Sequence, residues 1–178
     1  MSKPTTAEPV KLIVSVFAAT AVWLNETIAI LSGTYDQADF ISAIMPFDYT
    51  DYYCIEMGKK LVRRFISMEK LINPEDLPFI KQATNKIEEK SVLNKRRQVN
   101  IDPGYISKAH LILATGKGYT HRPYLRDGVY ADLTLIYQGK KFCLLPWTYP
   151  DYAEEKQILM FNKIRTKYLL QLKMMKTI

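Results

Sequence analysis

A chain of 178 residues with 48% hydrophobic and 24% charged side chains has an ordinary globular balance. That excludes a disordered segment and leaves room for one substantial core. The net charge of +7 suggests a polyanionic partner, but Lys156, Lys163, Arg165, Lys167, Lys173 and Lys176 supply nearly all of the surplus in a stretch without acids. A solvated outer helix face explains such a run, so nucleic acid is not the favoured partner, and the compact RNA-recognition and DNA-reading signatures are missing. Two cysteines, Cys54 and Cys143, rule out a disulfide-built fold and have no metal-ligand spacing.

Residues 1–9 read as a flexible lead-in. The apolar run over 12–24 follows Lys3 and Lys11 as a signal peptide would, but is too short for a bilayer span. It reads better as a β-branched strand, KLIVSVFAA, passing into a helix, AVWLNETIAILSG, that ends at Gly33. A retained, cytoplasmic chain without a transmembrane segment is expected. ADFISAIM is a second strand, stopped by Pro46, and LVRRFISMEKL a third. Asn73 and Pro74 start a helix with Glu75 and Asp76 in its first turn. A basic loop, NKRRQ, leads to VNIDPGYIS, where Asp102, Pro103 and Gly104 predict a turn or bulge. AHLILAT is another strand, and VYADLTLIY, QGK and KFCLLPW form a hairpin. From residue 153 to 176 an amphipathic basic helix carries Ile158, Phe161, Ile164, Tyr168, Leu172 and Met175 on one stripe. The order predicts a single α+β domain with a ferredoxin-like βαββαβ core, extended by a hairpin and the C-terminal helix.

One phrase occurs twice. PFDYTDYY starts at Pro46 and PWTYPDYA at Pro146, and their prolines, aromatics, tyrosines and aspartates correspond at an offset of 100. The flanks show no extended similarity, so a duplicated unit does not explain it. Each copy follows a strand, and each proline ends that strand in a turn projecting Tyr and Asp side chains. Two such turns at one end of a sheet would wall one pocket, with Tyr49, Trp147 and Tyr149 as stacking surfaces and Asp151 orienting a ligand. Asp48 and Asp51 are candidates for a catalytic base or, with Asp151 and Asp102, hard oxygen ligands for Mg²⁺. The competing account is that these are solvated turn aspartates and structural tyrosines.

GKGYTHRPYLRDGVYAD, from Gly116, gathers Lys117, His121, Arg122 and Arg126. The arginines can grip phosphate or carboxylate, and His121 can exchange a proton near neutrality. A phosphate-loop reading of ATGKG fails, because neither the full glycine spacing nor a Ser or Thr after Lys117 is present.

Those phrases, with RRFISMEKLI, LPFIKQATNKIEE and LATGKGYTHRPYL, resemble a bacterial family of unknown function. Some of its members carry the label GTP-binding protein. The resemblance runs from about Pro9 to Leu172 and brings no reaction with it, but it makes the His121–Arg122 pair and both Tyr/Asp phrases part of the family's wording. Gly116, Lys117 and Gly118 depart from the family pattern, which counts against a family-wide glycine cradle. The expectation is a pocket for a small anionic molecule or nucleotide, with hydrolysis or transfer at phosphate as its catalytic form. The alternatives are a non-catalytic nucleotide- or RNA-binding module and an interaction protein that uses the basic C-terminal helix.

Overall fold

The computed structural model describes residues 1–177. In chain order the elements are β1 (Val10–Ala18), α1 (Ala21–Tyr35), β2 (Ala38–Ile41), β3 (Met45–Phe47), α2 (Cys54–Met57) and β4 (Leu61–Ile72). A 3-10 turn (Pro74–Asp76) then opens α3 (Leu77–Lys90), followed by β5 (Val92–Leu93), β6 (Arg96–Arg97), β7 (Val99–Ile106) and β8 (His110–Thr115). The chain closes with β9 (Tyr124–Arg126), β10 (Val129–Gln138), β11 (Lys141–Leu144), α4 (Pro150–Ala153) and α5 (Glu155–Met175). The fold is mixed α+β. Its nine-stranded sheet runs β11-β10-β8-β7-β1-β4-β2, with β3 on β4 and β9 on β10, and every pairing is antiparallel.

β1 lies between β4 and β7, and all of its residues are buried. Helices cover both of its faces, so apolar side chains point both ways along it, interrupted by Lys11 and Ser15, where a half-exposed strand would alternate. Leu12, Val14 and Val16 pack under α1 and α3 with Leu24, Ile28 and Ile80. On the other face Ile13 joins Phe65 and Ile106 beneath Phe161, Ile164, Tyr168 and Leu172 of α5. Local chemistry starts the helices as the sequence suggests. Thr20 caps α1 by accepting from the Trp23 amide at 3.3 Å, and Asn73 and Asp76 form a reciprocal capping box ahead of α3.

One charge is buried among these apolar residues. Lys11, 0% exposed, lies beneath α5, where its Nζ pairs with Asp39 and donates to Gln171 Oε1 at 2.8 Å. Asp39 also accepts from Ser67 at 2.5 Å and pairs with Lys167 at 2.9 Å. Burial lowers the Lys11 ammonium pKa. For Asp39, burial acts upward, but the bonds from Lys11, Ser67 and Lys167 outweigh it and leave the carboxyl below its ordinary value. Lys167 is therefore tied to the sheet rather than being one more solvated cation of α5.

Several boundaries differ from the sequence reading. ADFISAIM divides into β2 and β3, and Pro46 lies within β3. A proline is tolerated there because β3 pairs only with β4 and is an edge strand. NKRRQ contributes β6 and the Asn94–Lys95 turn of a small hairpin, both turn residues having positive φ. The closing helix breaks at Glu154 into α4 and α5. Met175 lies past the sheet and is 56% exposed, so the apolar stripe ends at Leu172. At the other terminus, Glu8 pairs with Lys108 and Lys176 and the Pro9 carbonyl accepts from Tyr168 at 2.8 Å, so the lead-in is anchored from residue 8 onward.

The expected turn at Asp102–Gly104 is instead continuous strand. Pairing between β7 and β8 runs from Ile106↔Leu111 to Gly104↔Leu113 and stops. The next residue back, Pro103, has no amide proton to continue it. From that point β7 follows β1 to Val99↔Ala18, and β8 follows β10 to Thr115↔Tyr130. The sheet forks. At the crotch, a Cβ on Gly104 would lie 2.3 Å from the Ile112 carbonyl oxygen and 3.1 Å from Leu113 Cα. Gly104→Val is expected to force the strands apart and cost roughly 1–3 kcal/mol. Urea unfolding checks this: the midpoint should fall at an unchanged slope.

Candidate functional site

The gap in the fork is a cleft of about 800 Å³. Asn100 and Asp102 of β7 line one side, Leu113–Lys117 and Asp132 the other, and Lys81, Asn85 and Glu88 of α3 reach in from behind. Both repeated phrases border it. Tyr49, Tyr52 and Tyr53 come from the loop after β3, and Tyr149, Asp151 and Tyr152 from the segment entering α4. The phrases also touch each other's surroundings, since the Tyr49 hydroxyl donates to Glu154, just beyond the second copy.

Parting the strands strips β7 of a neighbour, and α3 supplies replacements. The Ile101 amide donates to Glu88 Oε1 at 2.6 Å, and the Ile101 carbonyl accepts from Lys81 Nζ at 2.8 Å. A buried strand edge must have such partners. Burial raises the Glu88 carboxyl pKa above its ordinary value, against the pull of Lys81 and the Ile101 amide. Arg97 clamps the other Glu88 oxygen at 2.5 Å, reaches Asn100 Oδ1 at 3.0 Å and pairs with Glu56 at 2.9 Å.

A second charged pair closes the opposite wall. Arg63, 2% exposed, binds Asp151 and donates from Nε to Ser15 at 2.9 Å. Its guanidinium carbon lies 4.1 Å from the Phe65 ring centre, 4.9 Å from that of Tyr152 and 5.2 Å from that of Phe47. Flat, weakly hydrated guanidinium suits such a slot better than ammonium would. Asp132, 2% exposed, is held by Arg122 Nε at 2.8 Å, and the same arginine donates to the Tyr149 hydroxyl at 2.5 Å.

Two groups remain available to a ligand. The Asp102 side chain is 33% exposed, with Lys81 3.4 Å from one oxygen and Asn100 Nδ2 donating to the other at 2.7 Å. Lys117 reaches the Tyr52 hydroxyl at 3.0 Å and lies 4.4 Å from that ring's centre. Among the described residues no carboxylate pairs with it, unlike Arg63, Lys81 and Arg97 in the same cleft. Phenols of the cleft have raised pKa values. Burial raises Tyr149, and burial followed by the Asp102 charge takes Tyr53 well above the ordinary range. Tyr49 is pushed up to about 12 by burial and its bond to Glu154.

The other candidate residues have different surroundings. His121 stacks on Trp147, ring centres 4.7 Å apart, and its buried Nε2 sits 3.7 Å from Asp132 without a hydrogen-bond partner among the described residues. His121, Arg122 and Trp147 thus back the cleft wall through Asp132 and do not line the cleft itself. Trp147 is fixed by donating to the Leu133 carbonyl at 2.8 Å. Asp48 and Asp51 are exposed and outside the lining, and Asp51 accepts from Cys54 Sγ at 3.4 Å at the start of α2. Arg126 lies over Phe79 at 4.5 Å and pairs with Asp127, also outside the cleft. Asp48, Asp51 and Asp151 do not converge, and no group of three His, Cys, Asp or Glu among the described residues could hold a metal ion. The element after Gly118 is the strand β9, so the helix N-terminus of a phosphate loop has no counterpart there.

Residues 8–168 match a family described as a domain of unknown function, DUF4416. The chain belongs to that family. No curated protein and no solved structure matches it. In this family member the cleft has a chemistry of its own. Arg63, Asp102, Asp132 and Lys81 carry that chemistry, yet none stands in a recognisable motif. The available signal was charged residues inside otherwise apolar strands, as in LVRRFISM and VYADLTL.

Because the Tyr49 phenol titrates at about 12 instead of 10.0, its contribution is complete below pH 10 and disappears as pH rises from 10 to 12. Denaturant melts across that window should show wild-type losing an increment that Tyr49→Phe, which lacks the phenol, does not lose.

Proposed function

We propose that the fork binds a small anionic molecule with a planar ring, a nucleotide being the class that fits best. The observation that carries this reading is Lys117, the cleft cation whose charge is not met by a carboxylate, set at the mouth beside Tyr52. A ligand phosphate would complete that pair, and the phenol-rich walls from the two phrases suit a ring. Phosphate-directed hydrolysis or transfer is the catalytic form of this proposal. It is supported by Asp102, a cleft carboxylate that keeps one third of its surface exposed while Lys81 and Asn100 orient it. Asp102 would accept the proton of the attacking water or hydroxyl as the new bond to phosphorus forms and the leaving oxygen departs.

Two finer readings belong with this one. The order β7-β1-β4-β2, with α1 and α3 on one face, supports a ferredoxin-like core within the larger sheet. Both cysteines are free, and no helix of the described residues is long and apolar enough to cross a membrane. A reducing compartment such as the cytoplasm suits free thiols.

Thermal shift against nucleoside phosphates, sugar phosphates and inorganic phosphate, each with and without Mg²⁺, tests the proposal. A true ligand at one hundred times its dissociation constant should stabilise the fold by ~2.7 kcal/mol. Lys117→Ala should weaken the shift at least about tenfold in ligand concentration. Asp102→Asn should keep binding while lowering any turnover. Absence of a shift with every phosphate compound, or a shift indifferent to Lys117→Ala, would reject it.

A further inference from the structure

One corner of the molecule presents aliphatic side chains that the fold does not cover. Ile55 on α2 is 90% exposed, and Val92 and Leu93 on β5 are 52% and 53% exposed. They belong to one surface, because α2 is tied to the hairpin through the Glu56–Arg97 pair at 2.9 Å, and β5 and β6 are joined by Val92↔Arg97 and Leu93↔Arg96. The hairpin turn, Asn94–Lys95, holds both residues at positive φ and so projects a fixed tip.

Cations outnumber acids around this tip. Lys59 and Lys60 follow α2, Lys90 precedes β5, and Lys95 and Arg96 form the turn and its return, all of them exposed. Against these cations and Arg97 stand three acids on the same segments, Glu56 and Glu88, which share Arg97, and exposed Glu89, so the surplus is positive.

We infer that this corner docks on an anionic lipid surface, with Ile55, Val92 and Leu93 entering the headgroup region and the surrounding lysines and Arg96 meeting lipid phosphates. The aliphatic character decides the occupant. Nucleic acid would be met by aromatic rings that stack on bases, whereas branched aliphatics beside lysine are the pairing that partitions into a charged interface. The inference is independent of what the cleft binds. It brings the cleft close to the contact, since Glu56 and Arg97 belong both to this corner and to the cleft lining, so docking would hold the cleft near the bilayer.

Vesicle co-sedimentation of the full chain tests the inference with two compositions, pure phosphatidylcholine and phosphatidylcholine containing phosphatidylglycerol. Binding is expected on the anionic vesicles, weakening with salt, and not on the zwitterionic ones. Replacing Lys95 by Gln should lower the partition coefficient about fivefold. Ile55→Ser with Leu93→Ser should lower it at least about tenfold. All three positions are exposed, so an unchanged melting temperature will show that the variants fold. No binding to anionic vesicles at low salt would overturn the inference. So would binding insensitive to the serine pair, or a preference for single-stranded RNA over the vesicles in direct competition.

Discussion

The buried edge of β7 at Ile101, left without a strand partner, is the constraint on which the rest of the structure turns. A central strand cannot leave its amide and carbonyl unpaired in a buried place, because each unmet group costs about 1–3 kcal/mol. β8 would ordinarily satisfy them. Here Pro103 ends that pairing and Glu88 and Lys81 substitute for the missing strand with side chains. Two helix residues thus maintain an opening in a sheet that backbone hydrogen bonding would otherwise close. Their own charges then need partners, which brings Arg97, Asn100 and Asp102 to the same place. The cleft's polar chemistry follows from the need to keep the fork open.

The opposite wall solves a related problem differently. Arg63 is taken out of water in a slot of aromatic rings, and its charge is offset by Asp151 and by ring faces rather than by backbone. Such a pair contributes little net stability, but losing one partner leaves an unmatched buried charge. Since Asp151 belongs to the second phrase and Phe47 to the first, Arg63 holds both phrases in place from beneath. The recurrence of the phrase has a packing role through Arg63 as well as a part in the cleft wall.

The sequence shows some of this and hides the rest for physical reasons. Runs such as KLIVSVFAA, the Asn73–Pro74 start signal and the stripe from Phe161 to Leu172 express local periodicity, and the elements they imply are present. Asp102–Pro103–Gly104 has turn composition but lies in strand, because the proline's missing donor and the glycine's missing side chain serve a parting of strands that only tertiary pairing defines. The phrases were legible as neighbours of a concavity. The assignment of Asp48 and Asp51 to it was not, since in a tight turn adjacent side chains leave in different directions, and the Asp51 carboxylate accepts from the Cys54 thiol. His121 and Arg122 were legible as a pair, but their target, Asp132, lies ten residues along on another strand. Lys81 and Glu88 read as ordinary charged positions of an amphipathic helix until the unpaired strand edge opposite them is known.

The buried Lys11 has a consequence for how the molecule is made. It sits on β1, yet its carboxamide partner is Gln171, 160 residues later on α5. Until that helix is synthesised, β1 presents an ammonium and an apolar face without a cover, and helix formation alone cannot supply one. Contacts so distant in sequence slow folding and lengthen the exposure of incomplete intermediates. The nascent chain must therefore hold β1 unfinished while the 160 residues up to Gln171 are made, and it can seal that face only once α5 has cleared the exit tunnel.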